Sequence, residues 1–182
     1  MGYTSIAGDL LNLADLQTQG DWGPFHELGH NHQWAPWVLP GTTETTCNLF
    51  SVYVMEEVVD IDNGAGHSAI SDLERETRIQ AYLDGGADFE NDWSVWTALE
   101  TYLQLKEAFG WDFYTSLFTT YRNDSVAPNT DSERIETWIR LSSATANRNL
   151  AAFYRAWGFP VDTALENDLA QYPSWDDHPM AP

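Results

Sequence analysis

Gly20-Asp21-Trp22-Gly23-Pro24-Phe25-His26-Glu27-Leu28-Gly29-His30-Asn31-His32-Gln33 is the stretch whose reading decides this chain. It reads as a helix: Asp21 is placed to cap the N-terminus, Pro24 falls in the first turn, and Trp22, Phe25 and Trp34 supply apolar surface for packing. Helix positions four apart lie on one face, so His26 and His30 can reach one metal ion while Glu27 leans toward it. That combination suits hydrolysis, because two imidazoles hold the metal and a neighbouring carboxylate serves as general base.

A metal site of this type needs a third ligand. Pro40-Gly41-Thr42-Thr43-Glu44 reads as a turn that delivers Glu44 into the start of a second helix. Thirteen residues separate His30 from Glu44, enough for the first helix to end, for the chain to reverse, and for Glu44 to return over the metal. Two histidines and a glutamate leave a further coordination position for water. His32 is the rival ligand, but two residues beyond His30 it points about 200° around the helix. Cys47, one turn past Glu44, reads as a small buried residue. Asn48 shares the face of Glu44 and is placed to orient either Glu44 or the His30 ring from behind the metal.

With Trp37, Gly41 to Glu44 and Asn48-Leu49-Phe50-Ser51, the zinc stretch resembles the enhancin-like, mucin-degrading gluzincin zinc metallopeptidases, peptidase family M-sixty. The resemblance continues through Gly110-Trp111-Asp112-Phe113-Tyr114, Tyr121-Arg122 and Asn149-Leu150 to Phe153-Tyr154-Arg155-Ala156-Trp157-Gly158-Phe159-Pro160. It implies one bound zinc ion held by His26, His30 and Glu44, with Glu27 as the catalytic base. It also implies a secreted or cell-surface endopeptidase that hydrolyses peptide bonds in mucin-type glycoproteins through metal-activated water. Members of that family carry a substantial region before the zinc helix, including strands that line the substrate cleft. Here Met1 to Ile6 is similar to the last piece of that region, so a chain lacking the N-terminal part of the domain is expected. The alternative is a zinc-stabilised binding or scaffold module, catalytically incomplete because the upstream part of the cleft is missing.

The rest of the sequence fits a single domain over residues 1–182. A length of 182 residues, 43% of them hydrophobic and 25 of them aromatic (9 Trp, 8 Tyr, 8 Phe), suffices for one core. No apolar run approaches the roughly 18 residues of a spanning helix, so no membrane insertion is expected. Twenty-eight acidic residues face eight basic ones, with Lys106 the single lysine, and the net charge is −20. Such a surface repels polyanions, which excludes nucleic acid as a partner. The acidic excess fits either solubility of a secreted protein or a saline medium that screens self-repulsion. One cysteine rules out an internal disulfide framework.

Patterning along the chain predicts a mainly helical bundle around the zinc helix, with a short strand remnant near Tyr3 to Ile6. A second helix spans 43–59, a polar loop runs from Asp60 to Ser68, and an amphipathic helix continues to about Leu83 before Asp84-Gly85-Gly86-Ala87-Asp88 breaks the chain. Trp96, Leu99 and Leu103 form one apolar stripe ending at Gly110, and Tyr114, Leu117, Phe118 and Tyr121 form the next. Thr130 with Glu133 predicts a capping box, Gly158 and Pro160 stop the helix of Leu150 to Trp157, and Thr163 with Glu166 predicts a second box. The acidic loops at Asp60 to Asn63 and Asp84 to Asp92 match no defined calcium loop and read as solvated. For the donor to a developing oxyanion the candidates are Tyr53, Tyr102, Tyr121 and His67; no substrate-binding residue stands out.

Overall fold

The computed structural model describes residues 12–181. The expected strand remnant at Tyr3 to Ile6 lies outside them. Nine helices run through the described residues: α1 (Leu13–Thr18), α2 (Trp22–His32), α3 (Thr43–Glu57), α4 (Asp72–Asp84), α5 (Val95–Phe109), α6 (Trp111–Asn123), α7 (Asp131–Ala146), α8 (Ala151–Ala156) and α9 (Thr163–Leu169). A single helical turn at Asn63–Gly66 and 3-10 turns at Ala35–Trp37 and Ser68–Ile70 complete the order. Among the described residues the one β feature is an isolated parallel bridge between Asn149 and Ser174.

The mainly helical fold follows from the periodic apolar stripes, and its boundaries follow from local chemistry. The Ser94 hydroxyl accepts from Thr97 N (3.2 Å) to start α5, and Gly110 ends that helix at φ +75°, a conformation costly for residues with a Cβ. The Thr130–Glu133 capping box is present in full. The second expected box is not: Asp162, one residue earlier than Thr163, caps α9 by accepting from Leu165 N (2.8 Å). A carboxylate at the N-cap also faces the positive end of the helix dipole, an advantage a threonine lacks. The Asp60–Ser68 segment, expected as open loop, contains the Asn63–Gly66 turn.

Helix α2 lies along α3, α3 against α5, α5 against α4 and α6, and α7 closes the bundle against α6, α8 and α9. The aromatic residues form the core: Trp37, Trp138, Trp157, Tyr121, Phe153 and Tyr154 are all buried. Among the described residues, the one buried carboxylate is Glu100, fully buried on α5. Its two carboxylate oxygens accept from Arg75 Nε (2.8 Å) and Arg78 Nη2 (2.5 Å) of α4. A buried carboxylate is tolerable only when so paired, and the pairing fixes α4 on α5.

The α2–α3 contact is the one that matters for the site. A Cβ added at Gly29 would sit 2.6 Å from the carbonyl oxygen and 2.9 Å from the Cα of Cys47. Only glycine lets the two backbones approach so closely, and that approach brings the His26/His30 face of α2 onto the first two turns of α3.

Candidate metal centre

His26 and His30 project from α2, their rings 4.9 Å apart and perpendicular. Glu44, in the first turn of α3, places Oε2 3.1 Å from His26 Nε2 and 3.5 Å from His30 Nε2. The fold therefore brings together all three residues that the spacing singled out. One flank stays open to solvent: Glu44 is 54% exposed, His30 30% and His26 20%. Glu27 is exposed beside them.

The hydrogen bonds behind the imidazoles fix which nitrogen carries the proton. Asn48 accepts from the indole N–H of Trp22 (3.2 Å), a group that can only donate, so the oxygen of Asn48 faces that position. The same oxygen lies 2.6 Å from His26 Nδ1, which must then be the donor. Gln33 Nε2 meets the carbonyl oxygen of Thr43, which can only accept, so Gln33 Oε1 is the atom 3.0 Å from His30 Nδ1. Both rings thus hold a proton at Nδ1, and the neutral form of each turns its Nε2 lone pair toward Glu44. In that form two imidazole lone pairs and a carboxylate oxygen face one point with no proton of their own between them. A cation relieves that repulsion, and this donor set suits a borderline metal such as zinc.

Cys47 also reaches the group: its ligating atom, with those of His26, His30 and Glu44, falls within a common span of 4.8 Å. Burial, followed by the negative charge of Glu44, pushes its thiol up to about 12. The thiol proton is donated to the carbonyl oxygen of Glu44 (3.0 Å), so Cys47 packs beneath the cluster as a buried thiol. His32 is exposed and packs toward Phe50, ring centroids 5.9 Å apart, away from the cluster as its helical angle requires.

Asn48 requires a correction. It was expected to orient Glu44 or the His30 ring, and it instead holds His26. Sequence gives the face of α3 on which Asn48 lies, but the neighbour it meets depends on how α3 crosses α2. Gln33, which holds His30, was missed altogether. Its position three residues past His30, at the end of the same helix, was the available signal.

Of the candidate oxyanion donors, Tyr102 and Tyr121 are buried in the core and do not meet substrate. Tyr53 lines an apolar cavity of about 300 Å³ with Phe25, Leu28 and Phe50, on the side of α2 away from His26 and His30. His67 lies closer to the site. Its ring stacks on Trp96 (4.7 Å) and packs against Trp22 (5.0 Å), the residue bonded to Asn48. It accepts from Ala69 N at Nδ1 (3.1 Å), and burial lowers its pKa, which favours the neutral ring. Among the described residues the acidic loops form no group of converging ligands, and Asp88 is spent in capping Glu90 and Asn91.

The helical bundle that carries this cluster has the fold of a zincin-like subdomain. The chain belongs to the family described as Peptidase M60, enhancin and enhancin-like, whose model matches residues 1–158. It is 47% identical over 181 residues to TRPM8 channel-associated factor 2 of Homo sapiens and 41% identical over 182 residues to the TRPM8 channel-associated factor homolog of Danio rerio. These alignments take in 99% and 100% of this chain but 20% of each relative, so the chain spans about a fifth of their length. Among solved structures, a functionally unknown conserved protein from Bacillus anthracis str. Ames superposes with a TM-score of 0.72 at 29% identity, covering 92% of this chain and 34% of that one. A metallopeptidase from Bacteroides thetaiotaomicron superposes with a TM-score of 0.70 at 22% identity, covering 96% and 34%, a likeness of fold.

Proposed function

We propose that this domain is a zinc-dependent endopeptidase that hydrolyses peptide bonds in mucin-type glycoproteins at or outside the cell surface. The observation that carries this reading is the convergence of His26 Nε2, His30 Nε2 and Glu44 Oε2 beside an exposed Glu27. Those three residues would hold the metal. Zinc bound there supplies an acidified water and polarises the scissile carbonyl. The Glu27 carboxylate takes the proton of the attacking water and passes it to the leaving amide nitrogen. Asn48 and Gln33 keep the Nδ1 protons of the two histidines in place so that both Nε2 atoms stay available to the metal. The open flank of the cluster gives a polypeptide access, and the acidic surface disfavours polyanions other than a glycoprotein held by its polypeptide.

The relatives' names support a second reading. TRPM8 channel-associated factors are named for association with a channel, and a domain used in that way would keep its metal to hold α2 against α3 rather than to cleave.

Digestion of a mucin-type glycoprotein, read by mass spectrometry of new peptide termini, separates the two readings. The peptidase reading predicts cleavage by the wild-type chain and a loss of about 10²–10⁴-fold in Glu27→Gln, with zinc content unchanged. Full zinc content without cleavage favours the binding module, and cleavage retained in Glu27→Gln refutes the assignment of the base.

A further inference from the structure

We propose that Gln33 is a positioning residue that sets His30, on one helix, relative to Glu44, on the other. The inference rests on the metal reading of the site and adds a residue that reading did not contain. Gln33 is the first residue past α2, in extended conformation (φ −64°, ψ 147°), so its side chain turns back toward α3. Every polar valence of its carboxamide that faces the protein is engaged. Oε1 accepts from His30 Nδ1 (3.0 Å), and Nε2 donates to the carbonyl oxygen of Thr43 and to Thr46 Oγ1. Thr46 in turn donates its hydroxyl proton to the carbonyl oxygen of Thr42 (3.2 Å), so its oxygen is left to accept. The direction of each bond in this chain is therefore determined.

Thr43 and Thr46 bracket Glu44 on the first turn of α3. One side chain thus fixes the tautomer of one ligand and anchors it to the turn that carries another. The Trp22–Asn48–His26 chain does the matching work at the first histidine, also from α3. Both imidazoles are held by neutral amides, so Glu44 supplies the only formal negative charge among the three converging groups. Loss of such an outer partner weakens metal binding by about 10–100-fold.

The test uses the 182-residue chain and two readouts. In the metal-free protein, nitrogen NMR of His30 in its neutral form reports which ring nitrogen carries the proton. The expected result is protonation at Nδ1 in the wild type and a mixture in Gln33→Met, which keeps the length and lacks the acceptor. Zinc affinity, measured by chelator competition, is expected to fall about 10–100-fold in Gln33→Met. Thr46→Val should show a smaller fall, and the double variant should be no weaker than Gln33→Met alone. Protonation at Nε2 in the wild type overturns the proposal. So does a folded Gln33→Met whose zinc affinity stays within about 3-fold of wild type, well short of the loss expected for an outer partner. Should Gln33→Met fail to fold, the wild-type tautomer and Thr46→Val decide in the same way. A wild type that binds no zinc sinks the metal reading instead, and the tautomer still tests Gln33.

Discussion

Helix α5 buries nine consecutive residues, Thr97 to Leu105, while α2 buries Gly29 alone. The first is placed as most interior helices are, by apolar area removed from water on all sides. The second is placed by a backbone contact at Gly29 and by polar ties behind its two histidines. A helix held in the first way is indifferent to a ligand. One held in the second way presents a polar face, and under the proposed metal reading its order is coupled to metal binding. The contrast also explains why the same helix lines an apolar cavity on its reverse side: Phe25 and Leu28 are too lightly covered to anchor it.

That contrast can be broken at either helix. On α5, Leu103→Ala removes a fully buried side chain and should cost about 2–5 kcal/mol of stability, measured by denaturant unfolding, with zinc affinity unchanged in the folded protein. A matching loss of zinc affinity would show that the two regions are not independent. On α2, Gly29→Ala sets a methyl against the Cys47 backbone at a cost of about 1–3 kcal/mol, offset in part by the roughly 1 kcal/mol that alanine gains over glycine in a helix. The net change in stability should therefore be smaller than at Leu103, yet zinc affinity should fall, because α2 must move away from Glu44. Gly29→Ala with wild-type zinc affinity would mean that the close approach does not set the site.

How much of this was legible in the sequence follows from the range of each interaction. The shared helix face of His26 and His30 and the start of a helix at Glu44 were readable because helical spacing is local. So were the Thr130–Glu133 box and the apolar stripes of α5, α6 and α7. The cap of α9 falls one residue before the expected one because Asp162 and Thr163 are both good N-cap residues; only Thr163 has a glutamate three residues on, but the carboxylate is the better match to the dipole. The partner of Asn48, the anchoring by Gln33 and the need for glycine at 29 depend on how α2 crosses α3. That crossing is a tertiary fact with no periodic signature. Most aromatic residues of the apolar stripes are core, as expected: Tyr114, Tyr121, Trp138, Phe153, Tyr154 and Trp157 are buried, while Trp96 and Phe118 pack against the core partly covered.

The proposed activity requires His26, His30 and Glu44 to hold one metal ion. The most direct measurement is zinc stoichiometry and affinity for the wild type, His26→Ala and Glu44→Ala in the same buffer, with folding checked by circular dichroism. About one zinc per chain is expected in the wild type, and its loss from both folded variants. Zinc retained at full stoichiometry and affinity by Glu44→Ala, or no zinc bound by the wild type, would contradict it.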